Sequence, residues 1–194
     1  YHTNPVAGTL AGAKQLQGKE LSYNNLNDTD AAWALACDFE QPCVAIIKHA
    51  NPCGVAIGET VEAAFAKALA CDPVSAYGGI IALNRPLTKS FVEAMGKLFV
   101  EVIIAPAVEA DAAALLAEKK KNLRLLDAGS LMPANAKPMM LTTISGGVLV
   151  QNTDTATITA DQLTSVSDAK PSAQQLDDLL FAFRLCKHVK SNAI

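Results

Sequence analysis

The stretch Val44-Ala45-Ile46-Ile47-Lys48-His49-Ala50-Asn51-Pro52-Cys53-Gly54 joins an unbroken apolar run to a polar one rich in turn formers. A short apolar run with no polar interruption reads as a strand buried on both faces, as in the middle of a layered α/β sheet. It falls far short of the roughly 20 residues that cross a bilayer. Beyond Ile47 the chain leaves the sheet, and Pro52 with Gly54 predicts a bend there. Successive strand residues point to opposite sides unless the chain turns, so this bend would let Lys48 and His49 meet one ligand. Ligands of open α/β sheets gather beyond the carboxyl ends of strands, which makes this segment the first place to look for chemistry.

Similar apolar runs recur outward from it: Ile80 to Leu83, Val100 to Ala105, Leu123 to Asp127, Met139 to Ile144 and Val148 to Gln151. They alternate with Ala-rich amphipathic stretches, the pattern of an α/β fold of a sheet flanked by helices rather than of a sandwich or a bundle. Asp28 is expected to cap a helix from about Thr29 to Phe39, Thr60 one from Val61 to Ala70, and Thr88 one from Lys89 to Phe99. Ser172 and Gln175 form a capping box after Pro171, and Leu176, Leu179, Leu180, Phe183 and Cys186 then trace an apolar face that reads as core. Lys119-Lys120-Lys121 ends an Ala-rich helix from about Val108 and reads as a solvated terminus, positive where the helix end is negative. The least patterned regions are Ala128 to Pro138 and the Thr-rich stretch from Asn152 to Ser167, each a surface excursion or a boundary.

The chain has 194 residues, of which 51% are hydrophobic and 18% charged, enough for one compact domain or two small ones. With 16 Lys and Arg against 19 Asp and Glu, a net charge of -3 and only 5% aromatic residues, a nucleic-acid groove built on charge and stacking is disfavoured, and small metabolites are the expected ligands. The absence of a long apolar segment or a leader pattern predicts a soluble, cytoplasmic protein. Cys37, Cys43, Cys53, Cys71 and Cys186 show no close pairing and read as small buried hydrophobes. The start at Tyr1 and the stop at Ile194 suggest a piece of a longer polypeptide.

The chemistry is expected in a few places. An imidazole such as that of His49 can take a proton near neutral pH, and the Lys48 ammonium can give a proton or steady a developing negative charge. His49 followed by Pro52-Cys53 faintly echoes the zinc ligands of nucleobase deaminases, but position 51 is Asn where a Glu is needed and the residue three after Cys53 is Ala56, so no metal is expected. In Asp72-Pro73-Val74-Ser75-Ala76-Tyr77-Gly78-Gly79 the paired glycines let backbone approach a planar ligand and Tyr77 could stack on one. Neither a phosphate-binding Gly-Lys-Ser/Thr loop nor a dinucleotide glycine fingerprint is present. Glu101 interrupts an apolar strand and needs a partner, and Asn192 could present an amide to an oxyanion.

Five segments then carry a resemblance: residues 16–25 (LQGKELSYNN), 48–54 (KHANPCG), 75–82 (SAYGGIIA), 101–106 (EVIIAP) and 189–193 (VKSNA). In this order they resemble the formyltransferase part of the bacterial bifunctional AICAR formyltransferase/IMP cyclohydrolases of purine biosynthesis. The resemblance implies transfer of a formyl group from the co-substrate 10-formyltetrahydrofolate to the 5-amino group of AICAR, in a homodimeric parent that is also a cyclohydrolase. It assigns His49 as the base on that amine, Lys48 to the folate nitrogen and the developing charge, and Asn192 to the tetrahedral centre. It places Glu101 against the amine, Asn25 or Asn24 on the nucleotide, and Ser75, Tyr77 and Gly78 on the folate side. The implied fold is cytidine-deaminase-like without the zinc site, with a first unit over about 10–150 and a linker and helix over about 151–194. The cyclohydrolase domain and a second such unit would lie outside this chain, which alone would have little activity. The alternatives are a non-catalytic ligand-binding or dimer-packing module, and a zinc nucleobase deaminase relative.

Overall fold

A computed structural model describes residues 5–133, 136 and 139–193. Residues 134, 135, 137 and 138 of the weakly patterned stretch, and the two chain ends at Tyr1 and Ile194, lie outside the described residues. The chain divides into two compact units, Tyr1–Ala136 and Lys137–Ile194.

The first unit is a mixed α/β layer. Its strands are β1 (Lys14–Gln17), β2 (Cys43–Lys48), β3 (Asn51–Ile57), β4 (Gly79–Leu83), β5 (Val100–Ala105) and β6 (Arg124–Asp127), in the sheet order β1-β6-β5-β4-β2-β3. β4, β5 and β6 run parallel, whereas β2 is antiparallel to both β3 and β4, and β1 is antiparallel to β6. Helix α1 (Tyr23–Cys37) packs on β2, β4 and β5. Helices α2 (Val61–Cys71), α3 (Lys89–Met95) and α4 (Ala110–Lys119) share a core with Val44, Ile46, Ile81, Leu83 and Ile103. The alternate residues Ala45, Ile47, Ala82 and Ile104 point to the face that α1 covers, where Trp33 and Leu35 are fully buried. A strand with helices on both sides has no polar face, which is why Val44 to Ile47 is apolar throughout.

Several local expectations are corrected. The bend after β2 does not use Pro52 and Gly54: it is a two-residue hairpin turn at His49 and Ala50, whose φ angles are +56° and +55°. Pro52 lies in β3, an edge strand that tolerates a missing N–H. The register slips between Ile46, opposite Gly54, and Ile47, opposite Pro52, so Cys53 is the extra residue of a bulge. Gly54 is glycine because a Cβ there would collide with the Ala68 carbonyl oxygen of α2.

Helix α1 starts at Tyr23 rather than near Thr29, because Ser22 and Asn25 form a reciprocal capping box nearly two turns earlier. Asp28 is thereby an interior helix residue. Helix α3 stops at Met95, not Phe99, at Gly96 with φ +53°. Lys120 is not simply solvated, since its ammonium donates to the Leu98 carbonyl at 2.7 Å and partial burial lowers its pKa.

The second unit holds the hairpin β7 (Met139–Ile144) and β8 (Gly147–Asn152), followed by helix α5 (Ala173–Cys186) with the expected Ser172–Gln175 capping box. Its apolar face is not core: α5 has no buried residue, and Leu179 and Phe183 are 56% and 55% exposed. Periodicity shows that a face is apolar but not what covers it. Among the described residues no helix is long and apolar enough to cross a membrane.

Candidate functional site

The antiparallel placement of β2 decides where the sequence-predicted residues gather. Ile47 pairs with Ile80, and Gly79 pairs with Val100, so the carboxyl end of β2 adjoins the amino ends of β4 and β5. The carboxyl-end rule for parallel strands therefore does not describe this site, yet Lys48, the Tyr77–Gly78 backbone and Glu101 still converge on one end of the sheet.

Lys48 ends β2 and sends its ammonium across to the Tyr77 carbonyl oxygen, 2.9 Å away. That carbonyl belongs to a tight connection: the Gly78 N–H donates to the Phe99 carbonyl at 2.8 Å, with Gly78 at φ +75°. Only glycine adopts this conformation without strain. The Tyr77 ring is exposed and lies 5.3 Å from that of Phe99 at a tilt of 47°, so one of its edges is already in aromatic contact. Ser75 holds the neighbouring Asp72 carboxyl below its ordinary range, first through its hydroxyl and then through its N–H at 2.8 Å, with a smaller pull from Lys48. Cys53 adjoins this group; its thiol is pushed up by burial first and by Asp72 second, against the opposing charge of Lys48.

Glu101 and His49 are gathered by α1 instead. Asn25 is 4% exposed and donates from Nδ2 to Glu101 Oε2 at 2.8 Å, while its Oδ1 accepts from the Ser22 N–H and hydroxyl at 3.1 and 3.0 Å. Glu101 thus has the partner that its apolar surroundings require. Asn24, the other candidate at this point of the helix, is exposed. One turn further along α1, Asp28 Oδ2 accepts the His49 N–H at 3.1 Å. Residues three apart share a helix face, so a single stripe of α1 reaches both Glu101 and the turn that carries the exposed His49. Asn192 belongs to the second unit, where it is exposed beyond the end of α5.

The model of the AICARFT/IMPCHase bienzyme family matches residues 1–194. The chain belongs to this family. It is 55% identical over 185 residues to the bifunctional purine biosynthesis protein PurH of Rhodospirillum rubrum, covering 95% of this chain and 35% of that relative. The PurH proteins of Caulobacter vibrioides and Parvibaculum lavamentivorans are 54% and 53% identical, with 98% and 100% of this chain and 36% of each relative covered. The chain thus spans about a third of the length of the curated relatives it matches.

Within this AICARFT/IMPCHase segment the side chains offer an imidazole on an exposed turn, a hydrogen-bonded carboxylate and an ammonium resting on a carbonyl. That set can accept, orient and return protons around a polar substrate. Residue type alone marks Asp28 as a helix cap and gives Asp72 no role, so sequence reading misses both. The available signal for Asp28 was its spacing of three from Asn25, which becomes meaningful only once the helix is known to begin at Tyr23. Inside the second unit an open groove of about 810 Å³ is lined by Leu163, Val166, Leu176 and Leu179. Among the described residues no three His, Cys, Asp or Glu side chains are grouped to hold a metal ion.

Proposed function

We propose that this chain supplies the acid–base part of a formyltransferase that moves the formyl group of 10-formyltetrahydrofolate to the 5-amino group of AICAR. The observation that carries the reading is the α1 stripe, on which Asn25 holds the Glu101 carboxylate and Asp28 holds the His49 turn. Family membership supplies the reaction class, and the relatives are named as bifunctional purine biosynthesis proteins.

The AICAR amine is a weak nucleophile, because its lone pair is delocalised into the ring and the carboxamide. Catalysis must therefore come from orientation and timely proton removal. In this reading Glu101 orients the amine, with Asn25 alongside on the nucleotide. His49 removes the amine proton as nitrogen bonds to the formyl carbon. Lys48 gives a proton to the departing folate nitrogen, and Asn192 steadies the tetrahedral centre. Ser75, Tyr77 and Gly78 line the folate side, where the exposed Tyr77 ring offers a face for a planar group. Lys48 would exchange the Tyr77 carbonyl for substrate on binding.

The hairpin followed by parallel strand–helix–strand units supports a deaminase-like layering of the first unit. Asn51 and Ala56 at the positions where such enzymes need Glu and Cys support a metal-free centre. We place the full-length enzyme in the cytoplasm as a homodimer that is also a cyclohydrolase.

The test is formyl transfer by the full-length enzyme carrying this segment, with His49→Ala and Lys48→Ala variants checked for fold by circular dichroism. Each is expected to lower kcat about 10²- to 10⁴-fold. Near-parental turnover in both would refute the assignment.

A further inference from the structure

The His49 turn is held from outside, by a residue that takes no chemical step in the reading above. Two-residue hairpin turns with positive φ at both central positions favour Asn-Gly or Gly-Gly, because other side chains strain there. Here His49 and Ala50 occupy them at +56° and +55°, and the pairing of Lys48 with Asn51 leaves no other residue to reverse the chain. The N–H of the first turn residue has no place in the ladder. It would be left to solvent, were it not taken by Asp28 Oδ2 at 3.1 Å from a helix 21 positions earlier in the chain. A carboxylate accepting a backbone N–H makes one of the stronger hydrogen bonds available to a turn. The same helix stripe carries Asn25 and through it Glu101, so α1 sets the spacing between turn and carboxylate.

We propose that Asp28 is a positioning residue that locks the imidazole-bearing turn in its left-handed conformation and so aims His49 at the group Glu101 orients. This rests on the formyl-transfer reading for its consequence in catalysis, but not for the hold itself. Loss of Asp28 frees the turn to sample other conformers, and misaimed proton transfer lowers kcat more than KM.

The experiment compares Asp28→Ala, Asp28→Asn and His49→Ala in the full-length enzyme, reading kcat, KM for AICAR and the exchange rate of the His49 amide by ¹⁵N NMR. Asp28→Ala is expected to lose about 10- to 100-fold in kcat with KM within about threefold, and to lose protection of the His49 amide. Asp28→Asn, which keeps an acceptor oxygen, is expected to stay within about threefold of the parent and keep that protection. If Asp28→Ala does not fold, Asp28→Ser, whose oxygen is one atom too short to reach, takes its place. Parental kcat and protection in Asp28→Ala beside an inactive His49→Ala overturn this inference and leave the formyl-transfer reading standing. An active His49→Ala removes the imidazole from that reading, and amide protection alone then decides whether Asp28 holds the turn.

Discussion

Asn25 uses both ends of its amide, and this settles which way it faces. Its oxygen is occupied by the Ser22 N–H and hydroxyl, which leaves the nitrogen for Glu101 at 2.8 Å. The helix cap and the carboxylate are therefore one hydrogen-bonded unit. Elsewhere at this scale, the cysteines divide by environment. Burial is the first cause that pushes the Cys43 thiol up to about 12 and the Cys37 thiol up to about 11. Cys71 is exposed, contrary to its reading as a buried hydrophobe. Only the thiolate reacts with alkylating agents, so raised values withhold Cys37 and Cys43 until the pH approaches those values or the chain unfolds. Iodoacetamide at pH 8, followed by peptide mass spectrometry, is expected to modify Cys71 first and to spare Cys43 and Cys37. Equal labelling of Cys43 and Cys71 in the folded protein would contradict this placement.

Among the elements, β3 and α2 make the closest approach that the site depends on. Gly54 lets the edge strand lie against the Ala68 carbonyl, and the bulge at Cys53 adjusts the register between that contact and the His49 turn. A methyl group at position 54 meets backbone, which cannot rotate away, so helix and strand must separate. Gly54→Ala is expected to destabilise the first unit by about 3 kcal/mol, the upper part of the range for overpacking, read as a lower urea midpoint with an unchanged slope. Gly147→Ala is the matched control, since its Cβ would meet only Ile144 side-chain atoms at 3.8 and 3.9 Å, and it is expected to cost under about 0.5 kcal/mol. Asn84 performs a complementary task at the other end of β2. It is 2% exposed, donates to the Phe39 and Gln41 carbonyls and accepts the Cys43 N–H, which fixes the connection from α1 into the strand.

At the scale of the whole molecule the two units differ in kind. The first has strands whose side chains are buried on both faces, whereas both strands of the β7–β8 hairpin are exposed along their length, including Leu141 at 67% and Val150 at 61%. An isolated two-stranded ribbon is marginal in water, and its amides open locally without unfolding the rest. Hydrogen exchange is expected to protect Val44 to Ile47 and Val102 to Ile104 at least about 10³-fold more than β7 and β8. Comparable protection in both would mean that the hairpin is covered in solution.

The α/β class, the strand runs at 44–47, 80–83, 100–105 and 139–144, and the helix starts at Thr60, Thr88 and Ser172 follow from the sequence by itself, because apolar period and capping oxygens are local signals. The candidates Lys48, His49 and Glu101 follow from residue type and order, and Asn25, with Asn24 as its alternative, only from the family resemblance. Their grouping follows from neither. Whether Pro52 and Gly54 turn the chain or line an edge strand depends on α2 packing against β3. Whether Asp28 caps a helix or grips a hairpin depends on α1 crossing β2, with partners 21 positions apart in the chain. Local energies of one or two kcal/mol choose among short elements, but contacts between distant segments are set by how the layers pack, and no window of sequence contains both sides of such a contact.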